Sequence, residues 1–311
     1  MRGRVTCGAA AVGTLLAGLL MLTGCGSAQR SIVIDGSSTV APLTAAAAED
    51  YAAAVGGANI SVATSGTGGG FQRFCAADTD ISDASRPIND DEVRACERAG
   101  VEYLELRVAS DGITVVTGAN AAVGADNLTL AQLKAVWEKG SRITNWDQIP
   151  DGHFANRQLT LAGAGSQSGT YDFFNETVLG DDPQTGRPAV PRQDYTASED
   201  DNVTVRAVAG SRAGLGYLGF SHYEENRDIL SAFAVDGVPP TTATITDGSY
   251  PLSRPLFIYV NRTALADPEV NDFVRYYLAH AEALAHEQQF VPAPRAILAQ
   301  ELADLPKATA R

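Results

Sequence analysis

Short apolar runs alternate with helix-forming segments along the first third of the chain. Runs of strand length cover residues 31–34, 60–63 and 79–82. After the first run, Pro42 opens an alanine-rich segment that ends at Gly56 and Gly57, a pattern typical of a helix with a proline start and a glycine stop. Helices are also predicted from Phe71 and over residues 90–99. Strands and helices that alternate at this spacing predict an α/β fold with mainly parallel sheets.

The same alternation continues to the end of the chain. Further strands are predicted over residues 103–108, 113–116, 159–162 and 256–260. Residues 110–112 are interpreted as the connection between the first two of these strands. Further helices are predicted over residues 130–139, 171–178, 201–209, 268–286 and 293–302. Segment 180–196 is rich in Pro, Gly and Asp, which predicts a surface loop.

Four of the predicted strands end in loops of similar composition. These loops, made largely of Ser, Thr and Gly, cover residues 36–39, 64–68, 82–85 and 163–170. Ligands of open α/β sheets bind at the carboxyl ends of strands. Hydroxyl groups donate hydrogen bonds, glycine lets backbone N–H groups approach a ligand, and a following helix directs its positive end to the same place. The pattern predicts a site for a tetrahedral oxyanion; the alternative is that the loops are only turns.

Asp83 lies in the third of these loops, where a carboxylate should repel an anion. An ionised aspartate can only accept hydrogen bonds, so it favours an anion that carries a proton. Hydrogen phosphate carries such a proton and sulfate at neutral pH does not. Asp83 is therefore predicted to separate phosphate from sulfate; the alternative is a turn-forming or helix-capping aspartate.

The loops and their flanks together resemble a known family. The matching segments are DGSSTV at 35–40, SGTGGGF at 65–71, DISDASRP at 80–87, SGT at 168–170, SEDDN at 198–202 and PLSRPL at 251–256. They are similar, in order and over nearly the whole chain after residue 25, to the PstS-type phosphate-binding proteins, the receptors of the high-affinity phosphate ABC transporter.

That resemblance implies a two-lobe periplasmic-binding-protein fold of type II (Venus-flytrap), with the ligand in the cleft between the lobes. The first lobe is expected to contain residues 30–109 and 256–311, and the second residues 110–255, with crossings near 108–112 and 251–256. It further implies a monomer that binds phosphate outside the cytoplasmic membrane and delivers it to the permease subunits of an ABC importer. No catalysis, cofactor or metal is expected.

The resemblance also assigns site residues. The expected phosphate ligands are Ser38, Thr39, Asp83, Ser168, Gly169 and Thr170, together with Ser65 or Thr67, between which the glycine run leaves the alignment open. Many relatives carry an arginine four residues before the serine of the SGT motif, where this chain has Ala164. Arg86 is predicted to supply the missing charge, because a guanidinium suits a pair of phosphate oxygens; the alternative is that Arg86 makes a structural ion pair.

The N-terminal segment predicts export and a lipid anchor. Arg2 and Arg4 precede an apolar run over residues 9–22, and small residues then lead to Cys25. This pattern predicts a lipoprotein signal peptide over residues 1–24 and lipidation, with palmitate, of Cys25. An ordinary signal peptide or a short membrane anchor are the alternatives, although the run is shorter than the ~20 residues that a span needs.

The net charge of the chain and its cysteines restrict the possible partners and indicate the compartment. The formal net charge is −14, and it becomes −16 without Arg2 and Arg4, which argues against nucleic acid or anionic lipid as partners. Cys75 and Cys96 are predicted to form a disulfide in an oxidising compartment, the alternative being two free thiols. A receptor for sulfate or molybdate, an extracellular phosphatase, and an adhesive or signalling lipoprotein remain as alternative functions.

Overall fold

The structure, a computed structural model, describes residues 31–166, 168–186 and 189–306. The predicted signal peptide over residues 1–24 and the predicted lipidation site Cys25 lie outside the described residues. None of the described helices combines the length and the apolar character that crossing a membrane requires.

Strands and helices alternate as the sequence predicts. The first group of elements is β1 Ile32–Gly36, α1 Ala41–Val55, β2 Ile60–Ala63, α2 Thr67–Cys75, β3 Ile81–Ala84, α3 Asp90–Ala99 and β4 Tyr103–Gly118. The middle group is β5 Asn127–Leu128, α4 Leu130–Trp137, β6 Thr160–Ala164, α5 Gly169–Phe174, β7 Thr196–Ser198, α6 Asp201–Ala209, β8 Gly214–Gly219, α7 Phe220–Glu225, β9 Leu230–Ala232, β10 Ala234–Val235 and α8 Thr242–Thr246. The last group is β11 Ser253–Asn261, α9 Pro268–Glu287, β12 Val291–Pro292 and α10 Arg295–Asp304.

Ten of the described strands form one long mixed sheet, in which β2-β1-β3-β11-β4-β8-β6-β7 follow each other and β9 and β12 also pair with β4. Strands β5 and β10 form a separate parallel pair. At one end β1 pairs in parallel with β2 and β3, and at the other end β6 pairs in parallel with β7 and β8. Strands β4 and β11 lie between these parallel groups and pair with each other in antiparallel fashion. The predicted α/β class is confirmed, but the expectation of mainly parallel sheets is wrong. Strand β11 also pairs in antiparallel fashion with β3, and β4 with β8, β9 and β12.

One prediction about the middle of the sheet is wrong. Residues 110–112 do not connect two strands, because β4 runs without interruption from Tyr103 to Gly118. Ser110, Asp111 and Gly112 pair with β11 in the ladder and are buried. Their small polar side chains are typical of a loop, but the neighbouring strand satisfies the backbone and the two strands cross the molecule as one ladder.

The apolar side chains form two main cores, one on either side of this crossing. The first core draws on residues 32–109 and 256–305. The second core draws on residues 113–252, together with Val291. Because β4 contributes to the first core up to Ala109 and to the second from Ile113, the two cores are joined by continuous β-structure. We call the parts of the molecule around these cores the first and second lobes.

A smaller core fixes helices α2 and α3 against the first lobe. Phe71 and Phe74 of α2 are fully buried, and the ring of Phe71 lies 4.8 Å from that of Tyr259 on β11, in an edge-to-face contact. A disulfide joins Cys75 at the end of α2 to Cys96 on α3. The predicted disulfide is confirmed, and it fastens the helix that follows the second loop.

We expect the bridge between Cys75 and Cys96 to stabilise the protein. Replacing both cysteines by alanine should lower the free energy of unfolding by about 3 kcal/mol, because the bridge restricts the unfolded chain across a separation of 21 residues. Urea unfolding of the full chain with and without reductant measures this. Reductant should destabilise the wild type and leave the double variant unchanged; equal responses of the two proteins would contradict the prediction.

Candidate functional site

The loops after β1, β2 and β3 meet at one edge of the sheet, because these three strands are parallel neighbours. They form one wall of a cavity of about 420 Å³. The opposite wall belongs to α5, to the turn that follows it, and to β11. The cavity is lined by Ser37, Ser38, Thr39, Gly66, Thr67, Gly68, Ser85, Arg86, Asp172, Phe173, Glu176, Thr177 and Arg254. The walls therefore combine hydroxyls and loop backbone with two guanidinium groups and two carboxylates.

Close backbone packing shapes the first wall. Gly36 ends β1 with φ of +145°, and a Cβ atom built there would lie 2.1 Å from the carbonyl oxygen of Asp83. A Cβ atom at Gly70 in α2 would lie 2.5 Å from the Cα atom of Gly36. Only glycine fits both positions, so α2 packs directly on the end of β1. This approach lets α2 begin at Thr67, four residues before the predicted start at Phe71.

A buried carboxylate connects the first two loops. Asp35 accepts hydrogen bonds from the backbone N–H groups of Gly36 and Ser65, both at 2.8 Å, and forms an ion pair with Arg73. Burial opposes the charge of Asp35, but these donors outweigh burial and hold its pKa below the ordinary value. Asp35 is thus a structural anion that fixes the loops, and its charge is compensated locally.

Asp83 lies behind the cavity wall, at the first turn of α1. It is fully buried, and its Oδ1 accepts a hydrogen bond of 2.9 Å from the hydroxyl of Thr44. Its Oδ2 has no hydrogen-bond partner among the described residues. Burial raises the pKa of Asp83 to about 8, and the negative Asp35 adds to the increase. The buried environment of Asp83 therefore favours its protonated form.

The most buried cation of the cavity is Arg254, near the start of β11. Its Nε and Nη2 donate to Asp111 Oδ2 at 3.2 and 3.1 Å, and Nη2 also donates to the hydroxyl of Thr39 at 2.9 Å and to the carbonyl of Gly169 at 3.3 Å. The guanidinium lies 4.1 Å from the ring centroid of Phe173. Within the described part of the chain, Nη1 makes no hydrogen bond. Arg254 thus joins both walls and keeps one donor nitrogen free.

Comparison with known proteins assigns a family to this geometry. The family model described as "PBP superfamily domain" matches residues 23–281. Protein SphX of Synechococcus elongatus is 43% identical over 277 residues, which is 86% of this chain and 79% of that protein. The phosphate-binding protein PstS of Staphylococcus aureus is 36% identical over 280 residues, which is 87% of this chain and 81% of that protein.

The chain belongs to the family of PstS-type phosphate-binding proteins.

A solved structure supports the same family. The crystal structure of a possible phosphate binding protein from Planctomyces limnophilus is 37% identical and superposes with a TM-score of 0.82, covering 90% of this chain and 99% of that chain. The two-lobe periplasmic-binding-protein fold expected from the resemblance is confirmed.

Several residues expected from the PstS-type pattern lie in the cavity wall. Ser38, Thr39 and Thr67 line the cavity, and the hydroxyl of Thr67 lies 3.1 Å from that of Ser85. Ser65 does not line it; its backbone N–H is used by Asp35. Between the two alternatives in the second loop, the structure thus places Thr67 at the cavity.

The PstS-type SGT motif starts helix α5. Ser168 caps this helix, and its hydroxyl accepts from the backbone N–H of Thr170 at 3.2 Å. Gly169 approaches Thr39 so closely that a Cβ atom would lie 2.8 Å from the Thr39 hydroxyl. The three motif residues do not line the cavity themselves, but they hold the second wall against the first loop.

The structure shows one of the two roles that the sequence left open for Arg86. This arginine lines the cavity, yet its Nη1 and Nη2 donate to the two carboxylate oxygens of Glu92 at 2.9 and 2.8 Å. The structural ion pair is therefore present, and it occupies both terminal nitrogens of Arg86. Any contribution of Arg86 to ligand binding stays a prediction.

Sequence reasoning missed Arg254 as a PstS-type site residue. The segment 251–256 was matched to the family, but its arginine precedes a predicted apolar strand and lies 143 residues from its partner Asp111. The available signal was a pair of charged residues at the two predicted crossings of the chain. Neither Asp111 nor Arg254 has a partner of opposite charge nearby in the sequence, so the two could have been predicted to pair with each other.

Titration of Asp83 should make stability depend on pH. The pKa of Asp83 is about 8 in the folded protein against 3.8 for the unperturbed carboxyl, so the folded state holds the extra proton between these values. This contribution to stability is complete below pH 3.8 and is lost as pH rises through 8. Relative to the wild type, Asp83→Asn should therefore gain free energy of unfolding from pH 5 to about pH 8, and the difference should level off above that pH. Urea unfolding in phosphate-free buffers tests this, and a difference independent of pH would contradict it.

Proposed function

We propose that this chain binds inorganic phosphate outside the cytoplasmic membrane and delivers it to the permease of an ABC phosphate importer, without breaking a bond. Membership of the PstS-type family supports this proposal. The observation that carries it is the cavity itself, where hydroxyls of three loops face a buried guanidinium. None of the four histidines lines the cavity, so the described walls offer no imidazole base for hydrolysis.

In this proposal the oxygen atoms of phosphate are divided between donors and one acceptor. Ser38, Thr39 and Thr67 donate from the first lobe, and Arg254 donates through Nη1. Asp83 Oδ2 forms one hydrogen bond with a phosphate oxygen, as the acceptor when Asp83 is ionised and as the donor when it is protonated. The other residues expected from the family pattern, Ser65, Arg86, Ser168, Gly169 and Thr170, are proposed to hold the walls of the site rather than to bind the ligand directly. A dianion at this site is compensated by a cation and several dipoles, as oxyanion sites require.

Binding is proposed to close the two lobes. The lobe boundaries of the sequence prediction, 30–109 with 256–311 and 110–255, are supported by the division of the apolar side chains between two cores. Phosphate that contacts both walls favours the closed form, because its differential contacts shift the equilibrium. The strands β4 and β11 are proposed to be the hinge.

The N-terminal sequence supports a location at the membrane surface. We propose that Cys25 carries a diacylglycerol and palmitate anchor and that the protein works as a monomer near its permease. The lipid is then the contact with the membrane, and no cofactor is needed for binding.

Asp83→Asn should weaken the discrimination against sulfate more than it weakens phosphate binding. An asparagine amide can donate to an unprotonated sulfate oxygen, whereas ionised Asp83 repels it. Calorimetric titration of the full chain in detergent, stripped of ligand, measures both anions at pH 9, above the pKa of about 8. The wild type should bind one phosphate and no sulfate.

Other results of this titration would contradict the role of Asp83 or indicate a different function. An Asp83→Asn variant that loses phosphate affinity and still binds no sulfate would contradict the role of Asp83. Tight sulfate binding by the wild type would indicate a receptor for another oxyanion, and turnover of a generic phosphomonoester would indicate a phosphatase.

A second prediction compares the two arginines of the cavity. Arg254→Lys keeps a positive charge beside Asp111 but removes the free donor nitrogen, so phosphate affinity should fall by about 10- to 100-fold. Arg86→Lys is the matched control and should cost less than about threefold, since its guanidinium is held by Glu92 and is half-exposed. Calorimetry of both variants measures the difference; an equal loss in Arg86→Lys would identify Arg86 as a direct ligand.

A further inference from the structure

A chain of buried hydroxyl groups stands behind Asp83. The hydroxyl of Tyr277 on α9 lies 3.0 Å from that of Thr44 on α1, and Thr44 lies 2.9 Å from Asp83 Oδ1. All three side chains are fully buried. Neither Tyr277 nor Thr44 lines the cavity, and the two are 233 residues apart in sequence, so the family motifs do not reveal the arrangement.

Tyr277 is the last member of this series of hydrogen-bonded hydroxyl groups, and that position fixes the direction of its hydrogen bond. Within the described structure, Thr44 is the one hydrogen-bond partner of the Tyr277 hydroxyl. Tyr277 must therefore donate to Thr44, because the opposite direction would leave a buried O–H group without an acceptor. Burial raises the pKa of Tyr277 well above its ordinary value, so this hydroxyl stays protonated over the working range of pH.

The direction of the second bond follows from the first. Thr44 has a single proton, and its oxygen already receives the proton of Tyr277. Thr44 then donates to Asp83 Oδ1, which is an acceptor whether or not Asp83 is protonated. When Asp83 is protonated, the proton is left to Oδ2, the oxygen without a partner.

We propose that Thr44 and Tyr277 are positioning residues that hold Oδ1 of Asp83 as an acceptor and reserve Oδ2 for the hydrogen bond with the ligand. This inference rests on the proposed function. It makes the discrimination between phosphate and sulfate depend on three side chains rather than one, because a carboxyl group free to turn would present either oxygen to the ligand.

Few other groups influence Asp83. On one side β1 brings Asp35, whose charge is held by Arg73 and by backbone N–H groups, and on the other side β11 brings the apolar Ile258. Helix α1 contributes Thr44, and α9 contributes Tyr277. Because the charge of Asp35 is compensated by fixed donors, its field at Asp83 stays constant while Asp83 titrates.

Titration of Asp83 by NMR tests the inference without any ligand. The full chain is labelled with carboxyl-¹³C aspartate, and the Asp83 signal is the one missing from Asp83→Asn. Loss of the donor in Thr44→Val should raise the midpoint from about 8 by about one pH unit, and Tyr277→Phe should raise it by less, because Thr44 can then turn away. Thr44→Ser keeps the hydroxyl and should restore the wild-type midpoint.

Calorimetry of the same variants connects the midpoint to specificity. The pH at which sulfate binding is lost should move upward together with the NMR midpoint in Thr44→Val and Tyr277→Phe. Tyr51→Phe is the matched control, because it removes the hydroxyl of another tyrosine that belongs to the same core, and it should move neither quantity.

The outcomes separate the inference from the proposed function. Unchanged midpoints in Thr44→Val and Tyr277→Phe, or an equal shift in Tyr51→Phe, would overturn the positioning role even if phosphate binds tightly. If Thr44→Val does not fold, Tyr277→Phe and Thr44→Ser decide the question. Absence of phosphate heat in the wild type would instead refute the proposed function, while the NMR midpoints would still report on the hydroxyl chain.

Discussion

The buried ion pair between Arg254 and Asp111 is the interaction on which the arrangement of the cavity depends. Both residues lie on the central antiparallel ladder, where they are direct partners, and Arg254 is 8% exposed. A buried ion pair costs desolvation that its Coulombic attraction offsets only with good geometry and further hydrogen bonds. Here Thr39, Gly169 and the ring of Phe173 supply the additional contacts. The same guanidinium therefore fixes the ladder, contacts a residue of each wall and presents a donor to the cavity.

This ladder also explains how two lobes with separate cores share one site. A flexible linker would let the walls adopt many relative positions, whereas β4 and β11 limit their motion to bending and twisting of a paired strand segment. The loops of the first lobe are fixed independently, since Asp35 ties the first two loops together and the Cys75–Cys96 disulfide fastens α2. The first wall is thus fixed internally, and the proposed closure places the freedom of motion between the lobes, at the paired strands.

Local patterns carried most of the information that the sequence could give. The α/β class, the polar loops at strand ends and the pairing of Cys75 with Cys96 follow from residue types and spacing within short segments. The continuous course of β4 and the early start of α2 could not be predicted from such segments, because each depends on a neighbour distant in sequence. Gly70 is favourable in a helix only where Gly36 approaches it, and the polar residues 110–112 belong to a strand only because β11 pairs with them. Arg254 was missed for the same reason, since its partner lies on another strand.

The net charge of −14 raises the question of how an anion enters the cavity at all. Charges farther than about 8–10 Å across solvent are largely screened at physiological ionic strength, so the global charge has little effect inside. The nearest carboxylates, Asp172 and Glu176, line the cavity but are exposed to water. Arg254 is buried, where the effective dielectric constant is lower and each interaction is stronger. The two carboxylates therefore repel an anion only weakly, because water reaches them. The buried guanidinium of Arg254 attracts it most strongly. A dianion therefore loses little beside the exposed carboxylates and gains most beside the hydroxyls and the buried guanidinium of Arg254.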